Sequence, residues 1–370
     1  MEQDMTKGSP FKVLIMFTLP LAIGNIFQQL YNMADTIIVG RYVGADALAA
    51  VGSTGTVMFL LNGFAQGITA GFAVLTSQRY GAKKTEGVKQ SVSNGILLSV
   101  IGAVFFTAAS ILFMKPLLHL MNTPENIFAD AYCYISLISL GMVANVFYNL
   151  FSAYLRAVGN SKMPLFFLVL SACLNVVLDL VFIINFQMGV AGAAWATNLS
   201  QAISAVLCAV YIYKKVPSLV PEKRHWRIHR GDTRFQLATG IPMALQFAIT
   251  SSGTMVMQSA INLFGSEAVA AYTAAGKIHS LLTQGMVAMG QTMAVYSGQN
   301  YGKGDAARIR QGVRAALVIE VIYSLVSAVI VYSALEPSLG LFFSGEVDLT
   351  AMMPWARTYI TTVSYTHLTL

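Results

Sequence analysis

Windows of about 20 apolar residues recur along almost the whole chain, and they dictate the solvent in which it can fold. A helix needs about 20 such residues to cross roughly 30 Å of hydrocarbon. Nine windows run at approximately 11–39, 47–76, 93–118, 131–156, 164–187, 190–213, 236–264, 268–297 and 312–335, with a fragment from about 353. Only 11% of the 370 residues are charged and 56% are hydrophobic, whereas about 25% of a soluble domain is charged. A soluble globule is excluded, and an all-α integral membrane protein is predicted. The first window is too long for a signal-peptide core and reads as a retained membrane helix.

The net charge of +7 invites a nucleic-acid reading, but its distribution gives another cause. With the N-terminus cytoplasmic, the inner segments hold 19 of the 23 Lys and Arg residues. Only Arg41, Lys115 and Arg357 fall on the opposite side, and Lys277 falls within a span. This asymmetry is the positive-inside rule, so the basic balance belongs to topology and no nucleic-acid partner is expected. Cys133, Cys173 and Cys208 lie in apolar runs without metal-ligand spacing, which marks them as packing residues. The longest polar stretch, residues 214–235, divides the chain into an N-terminal unit of six helices (1–213) and a C-terminal unit (236–370). It carries His225 and His229 four apart. No thiolate or carboxylate there completes a metal set, so a solvated cytoplasmic linker is the expectation.

The chain also repeats itself. GADALAAVGS, Gly44 to Ser53, aligns with GSEAVAAYTA, Gly265 to Ala274, at an offset of 221 residues, and Gln78-Arg-Tyr-Gly81 aligns with Gln299-Asn-Tyr-Gly302 at the same offset. Leu19-Pro20 matches Ile241-Pro242 after a one-residue gap. Six spans precede the divider, so both copies enter the membrane from the same side. Parallel repeats of this kind build transporters, with the substrate site near the bilayer midplane.

These residues carry a family resemblance. QQLYNMADTIIVGRYVGADALAAVG (Gln28 to Gly52), SQRYGAKK (Ser77 to Lys84), LRAVGNSKMP (Leu155 to Pro164) and GQNYGKGD (Gly298 to Asp305) resemble segments of the multidrug and toxic compound extrusion (MATE) transporters, nearest to bacterial NorM/DinF-like members. The resemblance implies a MATE-like bundle of twelve helices in two lobes. It further implies a monomer in the bacterial plasma membrane that exports amphipathic, often cationic organic compounds in exchange for protons or sodium ions, with no cofactor. The chain departs from that pattern at its end, where three further helices are expected. Residues 363–370 do not resemble the repeat-related Tyr134–Val143 stretch, so a truncated chain with a foreign tail is the expectation.

A charge near the bilayer centre costs about 2.5–3.5 kcal/mol, so an acid retained there is a functional candidate. Asp35, Asp179 and Glu320 qualify. Gln28, Tyr31, Asn32 and Asp35 form a polar stripe at helical spacing, and Ser171, Asn175 and Asp179 stand four apart. Asp35 lies about 6 residues from Arg41 and Asp179 about 8 from Gln187, roughly 9 and 12 Å from the outer ends. At matching depth in one cavity, two carboxylates cannot both ionise freely, so they must retain a proton or share a cation. A structural hydrogen-bonded pair is the alternative. The resemblance adds that the cation site involves Asp35, Asn175 and Asp179, with Tyr31, Thr197 and, more weakly, Asn149 nearby; helix-packing polar residues are the alternative for those three. Sodium at Asp35 and Asp179 is the one metal ion foreseen. Glu320, about 9 Å beyond Arg314, and Lys277 read as structural charges first. The seventh span offers only Gln246 and Gln258, and the repeat position of Asp35 is Met257.

Gly63, Gly67 and Gly71 recur every fourth residue in the second span, a pattern that lets helices approach closely. Pro20 is placed to kink the first helix. Two other functions compete with export. A flippase for lipid-linked sugars of the same superfamily calls for a basic cavity, whereas Asp35 and Asp179 make this one acidic. An intramembrane enzyme calls for a nucleophile or metal motif, and no HExxH, GxSxG or GxxxxGK[ST] is present.

Overall fold

A computed structural model describes residues 4–264, 266–342 and 353–361. Those residues are helical almost throughout, and no strand occurs among them. The helices are α1 (Pro10–Tyr42), α2 (Ala45–Ser53), α3 (Gly55–Gly81), α4 (Thr85–Leu120), α5 (Glu125–Leu140) and α6 (Met142–Ala157). They continue with α7 (Lys162–Leu180), α8 (Gly189–Lys215), α9 (Arg230–Asn262), α10 (Ser266–Lys303) and α11 (Ala306–Phe342), followed by a helical stretch over 353–361. Six of the described helices are long and apolar enough to cross a membrane, and α5 with α6 makes a seventh, bent span. Residues 362–370, which include the expected foreign tail, lie outside the described residues.

Helices occupy all nine expected spans, with two departures. The second span is not one helix: it begins at Gly55, after a separate short α2. Ser53 Oγ donates to the Ala50 carbonyl at 2.8 Å and Thr54 Oγ1 to that of Val51 at 2.8 Å. These side-chain bonds compete with helix continuation. The second repeat has Ala274-Ala275 at the corresponding positions, and α10 runs unbroken. The fourth span bends by 47° between α5 and α6. Gly141 stands at the bend, and a Cβ there would collide with the Asn198 side chain of α8. Asn198 Nδ2 instead enters the gap and donates to the Leu137 carbonyl at 2.7 Å.

The close approaches foreseen at Gly63, Gly67 and Gly71 hold α3 against α9. A Cβ on Gly63 would stand 2.8 Å from that of Phe247, and one on Gly67 would stand 2.6 Å from the Met243 carbonyl. Gly71 faces the backbone of Gly240 itself. At the basic end of the bundle the two repeat motifs meet each other. Gly81 packs on the Gln299 backbone, and Gly302 packs on the Gln78 backbone. The contact is therefore reciprocal across the repeat, as expected where two copies are related by an approximate two-fold axis.

Two segments cover this end. Residues 4–9 lie over α10 and α11: Met5 N donates to Gln299 Oε1 at 3.0 Å, and Arg308 Nη2 donates to the carbonyls of Met5 and Lys7 at 3.2 and 2.7 Å. Gln299 Nε2 also reaches the Ala157 carbonyl at the end of α6, at 2.8 Å. The other segment, 216–229, was expected to be solvated and is clamped. His225 is buried, with Nε2 3.1 Å from Glu86 Oε2 and Nδ1 accepting the Glu222 amide at 3.0 Å. Lys89 and Arg224 pair with Glu222. His229, by contrast, receives only Arg227 Nε at its ring, 3.3 Å away.

Two outcomes follow from these clamps. The Arg79 guanidinium holds both oxygens of the buried Asp232 at 2.7 and 2.6 Å. Asp232→Ala is expected to lower stability by about 3 kcal/mol, because it strands the arginine against the protein. Thermal melts should show Arg79→Ala adding little on top of it. The Lys89 hydrogen bond, helped by the Arg224 charge, holds the Glu222 carboxyl below its ordinary value of 4.5. A carboxyl depressed in the fold contributes stability above its unfolded value and loses it as pH falls through the folded value. Protease nicking of 216–229 should therefore rise only on acidification below about pH 4, and Lys89→Ala should remove that threshold.

Candidate functional site

Four helices place polar side chains at four-residue spacing onto one interior volume in the first half of the chain. These are Tyr31 and Asp35 from α1, Asn145 and Asn149 from α6, Asn175 and Asp179 from α7, and Thr197 and Gln201 from α8. Four residues advance a helix by about one turn, so each pair stacks on one face. The α-helical ladder of α7 ends just past Asp179, in a π turn over Val181–Asn185; such turns frequently sit at functional sites.

The two acids meet. Asp35 and Asp179 are both buried, and their carboxyl groups face each other. Asn175 Nδ2 donates to Thr197 Oγ1 at 3.3 Å, one turn before Asp179 on α7. Unless one acid keeps a proton and donates it to the other, Asp35 Oδ1, Asn175 Oδ1 and both oxygens of Asp179 receive no donor. A buried acceptor without a donor costs about 1–3 kcal/mol, so four together mark a place built for a positive charge. Oxygens alone suit a proton or a hard cation such as sodium. Among the described residues no group of three His, Cys, Asp or Glu side chains forms a further metal cluster.

Three contributors were not foreseen. Tyr134 of α5 is buried with its hydroxyl facing Tyr31, Asp35 and Asp179. Gln201 lies against Tyr31, and its Oε1 accepts Asn145 Nδ2 at 3.0 Å. Asn145 also reaches Asn62 Oδ1 of α3 at 2.9 Å. The resemblance pointed to Asn149 and Thr197, and four-residue spacing from those two reaches Asn145 and Gln201 one turn away; no local pattern singles out Tyr134.

Other expectations resolve differently. Asn149 bonds to Asn145 and borders the cavity without reaching the acids. Asn32 of the α1 stripe is exposed, whereas Gln28 lines the cavity. Glu320, half-buried on α11, faces Tyr323 and stays apart from the acid pair. The side chains of Lys277 and Gln258 lie outside the described residues, and Gln246 is exposed. A polar cavity of about 70 Å³ runs on from Tyr31 past Gln201, Asn145 and Asn149 to Arg156.

The fold recurs in known proteins. The MatE family pattern matches the chain twice, over residues 20–181 and 242–368, so both halves of the repeat carry it. The chain belongs to the MATE family. A MATE relative from Bacillus subtilis, the probable multidrug resistance protein YpnP, is 31% identical over 83% of this chain and 68% of its own length. The probable multidrug resistance protein NorM of Thermotoga maritima is 26% identical over 90% of this chain and 72% of its own. A solved outward-facing structure of a multidrug resistance MATE transporter superposes with a TM-score of 0.90 at 25% identity, covering 98% of this chain and 80% of that one. The chain is thus an all-α membrane protein of a multidrug efflux transporter family, not of an enzyme family, and it needs no cofactor beyond what a MATE transporter uses.

Proposed function

We propose that this MATE chain is a secondary antiporter of the bacterial plasma membrane. It exports amphipathic, often cationic organic compounds in exchange for protons or sodium ions taken up at Asp35 and Asp179. The single observation that carries the reading is the set of four buried donor-free oxygens on Asp35, Asn175 and Asp179. Two facing carboxylates repel unless a proton or cation lies between them, so occupancy of the pair alters the balance of forces between α1 and α7. Such a difference in affinity between two conformations is what couples ion binding to a conformational change.

The charge asymmetry of the sequence supports a cytoplasmic N-terminus. In that orientation the helices are sealed together at the cytoplasmic end, between an N-terminal lobe (1–213) and a C-terminal lobe (236–370) joined by the clamped linker. A sealed cytoplasmic end is what an outward-facing state requires, and one relative with which the chain superposes was solved in that state. The acid pair then faces the side from which protons or sodium ions enter. Buried acids in the first lobe disfavour the flippase reading, which needs a site that attracts pyrophosphate.

The reading is tested with the chain reconstituted in vesicles, a fluorescent organic cation as reporter and an imposed gradient of either sodium or protons. Export should follow one of the two gradients and stop when that gradient is collapsed. Export that ignores both gradients would sink the antiport reading.

A further inference from the structure

Among the described residues, Arg156 is the one charged side chain that lines the polar cavity running on from Tyr31, the neighbour of the acid pair. It stands in the last turn of α6, 11 residues beyond Asn145, which is about 16 Å along the helix axis. Asn145 is at the level of Tyr31, because both touch Gln201. The guanidinium therefore sits at the cytoplasmic end of a polar cavity whose other end is Tyr31, the neighbour of Asp35 and Asp179.

The usual structural reasons for such an arginine are absent. No carboxylate among the described residues lies within ion-pair distance of it. An arginine at a helix C-terminus commonly caps free carbonyls, but those of α6 are already taken. Val158 N donates to Tyr154 O, Asn160 N to Leu155 O, Gly159 N to Arg156 O and Gln299 Nε2 to Ala157 O. A charge that neither pairs nor caps still sets the potential of the cavity it borders. In low-dielectric surroundings a fixed positive charge repels any cation moving through the same passage.

We propose that Arg156 is the electrostatic barrier that stops the coupling cation from slipping from the acid pair to the cytoplasm without transport. This rests on the reading of Asp35 and Asp179 as the cation site. A polar passage lined by Gln28, Asn145, Asn149 and Gln201 offers a cation many oxygens, and without a barrier it would short-circuit the gradient. Coupled entry by conformational change remains open to the cation, because that route does not require passage along the resting cavity.

The experiment measures passive sodium and proton entry into vesicles carrying the reconstituted chain, with no organic substrate present and ion-sensitive dyes inside. R156Q is expected to raise the leak at least about tenfold, because a unit charge lining the passage repels a passing cation by more than that factor even at an effective permittivity near ~20. R156K, which keeps the charge but not the fork of the guanidinium, should stay at the parental rate. A parental leak in R156Q overturns the proposal, and so does an equal leak in R156Q and R156K, since shape and not charge would then be responsible. Adding D35N to R156Q should lower the leak again. A leak that D35N leaves undiminished keeps Arg156 as the barrier and overturns the acid pair as the cation's binding place.

Discussion

Asp35→Asn is expected to cut ion-driven export at least about tenfold while leaving the melting temperature unchanged or higher. The two readouts move apart because the acid is a liability for folding. Its Oδ1 is buried without a donor and its carboxyl faces that of Asp179, so a neutral amide of the same shape relieves repulsion and supplies an N–H that Asp179 can accept. Gains of this kind at functional sites are the usual form of the trade between stability and activity. A tenfold loss of export corresponds to about 1.4 kcal/mol of coupling, a small share of what one charge contributes at close range inside a protein. Asp179→Asn should behave alike, since it relieves the same repulsion from the other side. Asn175→Ala should lose less, because it removes an oxygen but no charge. Export by Asp35→Asn at the parental rate, or a melting temperature lowered together with export, would reduce the acid pair to a structural contact.

The acids were legible because a charge is conspicuous in an apolar span, where only a strong reason keeps it. Tyr134 was not, since a tyrosine is at ease in the same setting and only the packing of α5 brings it to Asp35. The bend at Gly141 likewise depends on Asn198, 57 residues away in the chain, so no local pattern announces it. The break at Thr54 is a subtler case: its hydroxyls are visible in the sequence, but the apolar window around them is what the eye follows. The clamp on 216–229 was missed for the opposite reason. Charges in a polar stretch read as solvated until the Glu86, Lys89 and Asn94 partners are placed. The repeat, by contrast, was plain from the motifs, and its meaning emerged only when the motifs were found touching.

That contact leads to the second large effect, a reversible lock. The Gln78–Gly81 and Gln299–Gly302 motifs pack on one another backbone to backbone, and Gly298 sits on Ser77, whose Oγ donates to the Val295 carbonyl at 3.0 Å. Surfaces joined mainly by glycine backbone separate as units, with the single Ser77 side-chain bond to break, and they close only where nothing projects. If these helix ends part during transport, fixing them must stop it. A Cβ at position 298 would stand 3.1 Å from the Ser77 Cβ, close to the ~3.8 Å of a disulfide. With Cys133, Cys173 and Cys208 replaced by Ala, the pair Ser77→Cys and Gly298→Cys should cross-link under mild oxidant. Export should then fall at least about tenfold and return on reduction. Gly81→Val acts from the other direction: its side chain meets the Gln299 backbone, which cannot yield as a flexible side chain does. The seal should fail to close, at a cost of about 3 kcal/mol in stability, and a membrane-impermeant thiol reagent applied from the cytoplasmic side should reach Ser152→Cys in the cavity. Undiminished export by the oxidised double cysteine would mean that these helix ends stay together throughout the cycle.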